Sequence, residues 1–263
     1  MNQANKSNRT ASRWHDRQRY WLSALSLLLF LVLWELAPAL GWVKPLFSSS
    51  PSRILKAAIW LFANGFWYDI GVSLTEFGSG MGLAILVGIP LGIGLGWSTL
   101  IRSWLEPYVV FLDAVPRVAL LPLLILWFGI GLASKIAIVF LGAVFPLAIS
   151  VMAGVRTTSP DLIRCAQVFG ANDRQLLRTI VLPGLVPFMI SGLRIGVGRG
   201  LVGIVVGELV AARAGIGFMM SRAGAVFQTD KVFVGVLTLG LLGLLLTSLL
   251  KLLERRFDRW RSI

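Results

Sequence analysis

Long apolar runs alternate along this chain with short polar breaks, on the length scale of helices that cross a membrane. The first run, Trp21–Leu40, closes at Pro38, Gly41 and Trp42. A polar break, Ser48-Ser49-Ser50-Pro51-Ser52, comes next. After it, Arg53–Phe66 carries Ile54, Leu55, Ala58, Ile59, Leu61 and Phe62 at helical spacing, which predicts an amphipathic helix lying in a membrane interface. The remaining runs predict spans over Ile70–Trp97, Leu105–Phe128, Lys135–Val155, Gly184–Ala212 and Val232–Leu253. Each approaches or exceeds the roughly 20 apolar residues that a membrane crossing needs. The only long polar stretch between spans is Arg156–Leu182; a Gly- and Arg-containing segment, Arg213–Lys231, precedes the last run. Trp21–Leu40 is too long for a signal-peptide core and lacks a clear small-residue cleavage site, so it reads as an uncleaved span. The predicted fold class is all-α: a polytopic membrane protein with six transmembrane helices. It divides into a basic tail (1–20), a membrane domain (21–253) with a polar loop at 156–183, and a basic tail (254–263).

Composition supports lipid as the solvent. Of the 263 residues 56% are hydrophobic and 14% charged, with a mean hydropathy of +0.80; soluble domains carry about a quarter charged residues. The net charge of +13 invites a nucleic-acid partner. The basic residues, however, lie at the ends and in loops, which is the pattern of membrane orientation. Six spans place Lys6, Arg9, Arg13, Arg17 and Arg19 on the same side as Arg255, Arg256, Arg259 and Arg261. That side, which also holds Arg102 and the 156–182 loop, takes the larger share of Lys and Arg and is expected to be cytoplasmic. Lys44, Arg53, Lys56, Lys135, Arg213, Arg222 and Lys231 fall outside. A single cysteine, Cys165, excludes an internal disulfide or multi-cysteine metal site, and the one histidine, His15, lies in the polar tail. No catalytic or metal-binding residue is expected, because an embedded enzyme needs clustered His, Asp or Glu near a membrane face.

Glycine and proline describe how the spans pack. Gly88, Gly92 and Gly96 repeat every four residues, as do Gly192, Gly196 and Gly200. Such ridges let helix backbones approach closely in lipid. Pro90, Pro116, Pro122, Pro146 and Pro187 interrupt spans. Broken helices are tolerated where buried protein or a water-filled cavity satisfies the backbone, so their number suggests a pathway.

The polar loop is well punctuated. Ser159 can cap a helix, Pro160 fits its first position, Asp161 complements its dipole and Gly170 supplies the stop. Asn172 and Asp173 can start a second helix, with Leu176, Leu177, Ile180 and Val181 on its apolar side before Pro183. Two such helices either seat as a knob in a soluble partner or simply cover the membrane surface; capping and amphipathicity favour neither. The segment resembles the EAA loop of binding-protein-dependent ABC importer permeases: Glu-Ala-Ala, three residues, Gly, nine residues, Ile-x-Leu-Pro. The match falls at Ala166, Gly170, Ile180, Leu182 and Pro183 with every spacing kept; Arg164 stands where the family usually has Glu and Cys165 where it has Ala. The stretch Val115–Gly129, Gly215-Ile216-Gly217 and Gln228-Thr229-Asp230 are similar to the branch importing aliphatic sulfonates, taurine and nitrate. That branch also holds permeases for bicarbonate, cyanate and pyrimidine or riboflavin precursors.

The resemblance implies a type I ABC importer permease in the bacterial inner membrane. It further implies a homodimer with both termini cytoplasmic, two copies of an ATP-binding subunit on the loop, and an extracytoplasmic solute-binding protein. Asp161–Gly170 would be the coupling helix. ATP and Mg would be bound by the partner subunit, and this chain has no Gly-x-x-x-x-Gly-Lys-Ser/Thr loop of its own. The implied solute is a small anion such as an aliphatic sulfonate, taurine or nitrate; the alternative within the class is a pyrimidine or riboflavin precursor. A secondary carrier or channel would need inverted repeats or a repeated filter loop, and no convincing duplication is found.

Ionisable residues inside spans are costly and mark candidate pathway positions. Arg117, Arg194, Arg199 and Glu208 form that set. Arg194 lies about ten residues, roughly 15 Å, into the fifth span, and Arg199 about a turn and a half further. Glu208 shares a face with Arg194 to within about 40° but lies roughly 21 Å along the axis, too far to pair. Asp113 and Arg117 are in the favourable i,i+4 order. Each Arg is read either as structurally paired or as a cationic lining for an anionic solute. Glu35 and Glu76 are expected to face polar neighbours or headgroups.

Overall fold

The computed structural model describes residues 4–44 and 47–257, with side chains described from residue 21 to residue 256. The side chains of the basic N-terminal stretch and His15, and the terminal residues 258–263 with Arg259 and Arg261, lie outside the described residues. The described residues contain no strand. The chain divides into two compact units, residues 1–64 with 223–234 and residues 65–222 with 235–263.

In the first unit, α1 (Ala4–Ala39) contains the apolar span Trp21–Ala39 and α2 (Pro51–Ala63) is the expected amphipathic helix. Ser50 stands at the N-cap of α2 without a side-chain cap bond, and Pro51 occupies the first turn. The Glu35 carboxylate does the capping instead, accepting from the Ser52 amide (3.0 Å) and hydroxyl (2.6 Å). An exposed amide at a helix start and an acid inside a span thereby satisfy each other. Asp230 accepts from Ser49 Oγ at 2.6 Å and pairs with Arg53 at 3.2 Å, and the Lys231 ammonium sits 4.0 Å from the Trp60 ring centroid.

The second unit is built on α6 (Leu132–Arg156), packed against α3 (Phe66–Trp97) on one side and α9 (Leu182–Ala211) on another. Ile138, Val139, Ala143, Val144, Leu147, Ala148 and Val151 of α6 are essentially inaccessible. Both glycine ridges lie on these contacts. A β-carbon on Gly92 would come within 2.5 Å of the Ala148 carbonyl, and one on Gly196 within 3.0 Å of Ala143 Cβ. Lipid supplies no hydrophobic drive between helices, so this close backbone packing is what holds the three together.

Two spans depart from expectation. The third is not one helix over Leu105–Phe128. It is α4 (Thr99–Ala114), a 3-10 turn (Arg117–Leu120) and α5 (Leu121–Phe128), with a bend of 90°. The cause is Pro116: it has no amide to continue α4 and holds Val115 extended at ψ 128°. Ser98 starts α4 earlier than expected by capping the Ile101 amide. The fifth span has no separate helix before it. The segment α8 (Asp173–Leu176) runs through a π turn (Leu177–Val181) directly into α9, one apolar helix over Asp173–Ala211. Pro183 does not end it, because its ring sits in the first turn after the widened π segment, where the helical ladder has already shifted. Among the described residues, five helices are therefore long and apolar enough to cross a membrane, and the bent pair makes a sixth if counted as one span. The remaining helices are α7 (Pro160–Val168), α10 (Ile216–Ala225) and α11 (Thr229–Phe257), the last running past the expected end at Leu253.

Candidate coupling loop and interior charge sites

Helix α7 stands between α6 and α8 in the chain. Pro160 and Asp161 take their expected places in its first turn, but Ser159 makes no side-chain cap bond. Its C-terminus is closed by two reversed bonds, Gly170 N–H to Gln167 O (2.9 Å) and Ala171 N–H to Ala166 O (3.0 Å), with Gly170 at φ +82°. This is a Schellman stop, and it requires glycine at that position because the left-handed conformation penalises a β-carbon. Asn172 then opens α8 with a reciprocal capping box to Gln175, both bonds 2.9 Å. The spacing from Ala166 to Gly170 is thus the spacing of a helix stop. Downstream, Leu176 and Val181 are fully buried and Ile180, Leu182 and Pro183 half-buried, with Val181, Leu182 and Leu185 packed in one cluster with Leu147, Val151 and Val155. Upstream, Asp161 and Arg164 are exposed, and Val168 and Phe169 are 85% and 86% exposed. The loop therefore joins an anchored half to an unpartnered apolar tip.

The bend in the third span creates the first interior charge site. Arg117 turns back to satisfy the end of α4: Nη2 donates to the Asp113 carbonyl (2.8 Å) and carboxylate (2.5 Å), and Nε donates to the Leu141 carbonyl of α6 (3.1 Å). Arg199 reaches the same Asp113 oxygen from α9 through Nη1 at 2.6 Å. Two guanidinium groups thus share one carboxylate oxygen beside an open cavity of about 270 Å³, lined by Arg117, Val118, Ile138, Gly198, Arg199, Val202 and Gly203. Arg194 lies elsewhere, paired one-to-one with Glu254 at 2.7 Å, with its Nε buried and unpartnered.

Glu208 is not brought near these arginines. It is 1% exposed, accepting from Ser73 Oγ at 2.5 Å and from the Gly217 amide at 2.6 Å. Ser73 Oγ in turn accepts the Ile216 amide (2.9 Å), and Asp69 accepts the Gly215 amide (2.9 Å). Side chains of α3 and α9 therefore cap the N-terminus of α10. Gly215, at φ +116°, and Gly217 are required there, since a β-carbon on either would run into Glu208.

One turn from Ser73, Glu76 pairs with Lys135 at 3.1 Å, both side chains at most 5% exposed. Sequence reasoning placed Lys135 among the outer loop cations and missed this pair and the Asp113–Arg199 link. The available signal was that an acid within a span demands a partner, which points to the few cations on neighbouring spans. Among the described residues, no group of three His, Cys, Asp or Glu could hold a metal ion.

Comparison with known proteins gives this arrangement a family. The chain is 36% identical over 268 residues to the taurine transport system permease protein TauC of Escherichia coli, covering 100% of this chain and 98% of that one. It is 32% identical over 249 residues to a Bacillus subtilis protein named as a putative aliphatic sulfonates transport permease, SsuC, covering 94% and 90%. Its fold is that of a chain in the crystal structure of a bacterial ABC transporter involved in the import of the acidic polysaccharide alginate. The TM-score is 0.59 at 20% identity, over 93% of this chain and 99% of that one. Residues 84–259 match the family described as the binding-protein-dependent transport system inner membrane component. The chain belongs to that family, as a multi-pass permease subunit of an ABC importer.

Proposed function

We propose that this permease imports a small organic sulfonate of the taurine type. It would work as a homodimer with the pathway along the shared interface and both termini in the cytoplasm. Membership of the family implies an ATP-binding subunit and a solute-binding protein as separate partners. The ATP-binding subunit, carrying ATP and Mg, grips α7, with Asp161, Arg164 and the apolar tip at Val168 and Phe169 as its contacts. Ala166, Gly170, Ile180, Leu182 and Pro183 hold that tip in place and pass its displacement to α6 and α9. Arg117, Arg194, Arg199 and Glu208 belong to the spans that move.

The observation that carries the coupling role is the contrast within the loop. Phe169 is almost wholly exposed beside the Gly170 stop, while Leu176, in the next helix, is fully buried and Val181 and Leu185 pack with Leu147 and Val151 of α6. The bond from the Gly170 amide to the Gln167 carbonyl fixes the turn on which that exposed tip stands. A rigid apolar knob on an anchored lever is the shape needed to transmit a partner's motion. The substrate class is supported by the full-length likeness to the taurine permease. The test is ATP hydrolysis by the complex reconstituted with its binding protein and challenged with taurine, alkanesulfonates, nitrate and pyrimidine precursors. Stimulation by the sulfonates is expected. Stimulation only by nitrate or a pyrimidine precursor would reassign the solute, and purification of the chain without any ATPase would remove the coupling role.

A further inference from the structure

Arg117, Arg194 and Arg199 are the arginines that the sequence places within spans, and their surroundings separate them. Arg117 is a brace: its donors close the end of α4 and tie it to α6, and its side chain is only 15% exposed. Arg194 has its own carboxylate, Glu254, so that pair is neutral. Arg199 is as exposed as Arg194, each side chain at 39%, and each commits one N–H to a carboxylate. It differs in charge: it shares Asp113 with Arg117, which leaves two positive charges on one negative. A guanidinium has five N–H donors, arranged in a fork that matches an oxyanion.

An arginine this exposed in mid-span cannot face hydrocarbon; it faces a water-filled path or a second copy of the chain. The adjoining cavity of about 270 Å³ has only Arg117 and Arg199 as charged lining residues. At Gly198 a β-carbon would meet nothing within 4 Å, so the wall beside Arg199 is open.

We propose that Arg199 is the residue that contacts the transported anion, with Asp113 as a built-in counter-ion that the anion's headgroup displaces. This assignment rests on the reading of the chain as an importer of a sulfonate. As the headgroup enters, Arg199 exchanges the Asp113 carboxylate for sulfonate oxygens, while Arg117 keeps hold of Asp113. On exit the carboxylate returns. The guanidinium is never left without an acceptor, and competition from Asp113 keeps the anion's hold weak enough for release. Ethanesulfonate and taurine share the headgroup, so both should use the site.

The experiment is uptake of taurine and of ethanesulfonate by proteoliposomes holding the full complex, with assembly checked by co-purification. Arg199→Gln should lower uptake at sub-saturating solute by roughly 10- to 100-fold, the loss expected for a hydrogen bond to a charged group. Arg199→Lys, which keeps the charge and loses the fork, should fall in between. Asp113→Asn, which removes the competitor, should lower the half-saturating concentration and slow turnover. Undiminished uptake by the assembled Arg199→Gln complex, beside an active wild type, overturns the assignment alone. A wild type that imports neither sulfonate overturns the import reading and the assignment with it.

Discussion

Two clusters of ionisable residues lie in the second unit and differ in how completely their hydrogen bonds are satisfied. Around the start of α10, Ser73, Glu208, Asp69 and the amides of Gly215, Ile216 and Gly217 are joined bond to bond, and Lys135 neutralises Glu76 one turn away. Every one of these groups except Glu76 Oε2 has a partner, and Glu76, Lys135 and Glu208 are nearly inaccessible. Around Asp113 the positive charges outnumber the negative, and a cavity adjoins them. A charge within a span therefore does not by itself indicate transport. Filled hydrogen bonds mark a structural device even where, as here, three acids face one lysine, whereas unused N–H donors beside open space mark a place for a ligand.

Removing groups from the saturated cluster should cost most. Lys135→Met leaves Glu76 buried and unpaired and should destabilise the protein by about 3–5 kcal/mol, read as a large drop in the thermal unfolding midpoint in detergent. The double replacement Lys135→Met with Glu76→Met should recover most of that loss, and a failure to recover would show that the pair is not the source. Gly217→Ala forces a β-carbon against Glu208 and the Val205 carbonyl and should cost about 1–3 kcal/mol in the same assay.

At the unsaturated cluster the two arginines should separate. Arg117→Gln loses the bonds that close α4 and should cost about 1–3 kcal/mol, whereas Arg199→Gln should change stability by less than about 1 kcal/mol while uptake collapses. Equal destabilisation by both would erase the distinction drawn between brace and contact. The smallest effect on stability is expected in the loop. Arg164→Glu should shift unfolding by no more than about 0.5 kcal/mol, as for other exposed positions, yet alter recovery of the ATP-binding subunit in pull-downs by weakening it.

Much of this architecture is legible in the residues. The glycine ridges in α3 and α9 announce close packing, because a four-residue repeat of the smallest side chain has one use along a helix in lipid. The punctuation Pro160, Asp161, Gly170 and Asn172 announces a short helix and a restart, and the Schellman stop and capping box are its realisation. Less legible is the bend at Pro116. Proline alone distinguishes a gentle kink from a right-angled break poorly, and here the outcome depends on Arg117 being able to satisfy the freed carbonyl of Asp113 and reach Leu141 as well. The continuity of α8 into α9 is hidden by Pro183, which reads as a terminator unless a π turn precedes it.

The linear order of residue types determined which stretches enter lipid, where the polar loop lies, and to which family the chain belongs, because those properties depend on hydropathy and spacing along the chain. Only the tertiary structure decided which charges neutralise one another. Glu76 and Lys135 are 59 positions apart, Asp113 and Arg199 are 86 apart, and Ser73 and Glu208 are 135 apart. Electrostatic pairing depends on distance in space, and the packing of α3 and α9 against α6 sets those distances.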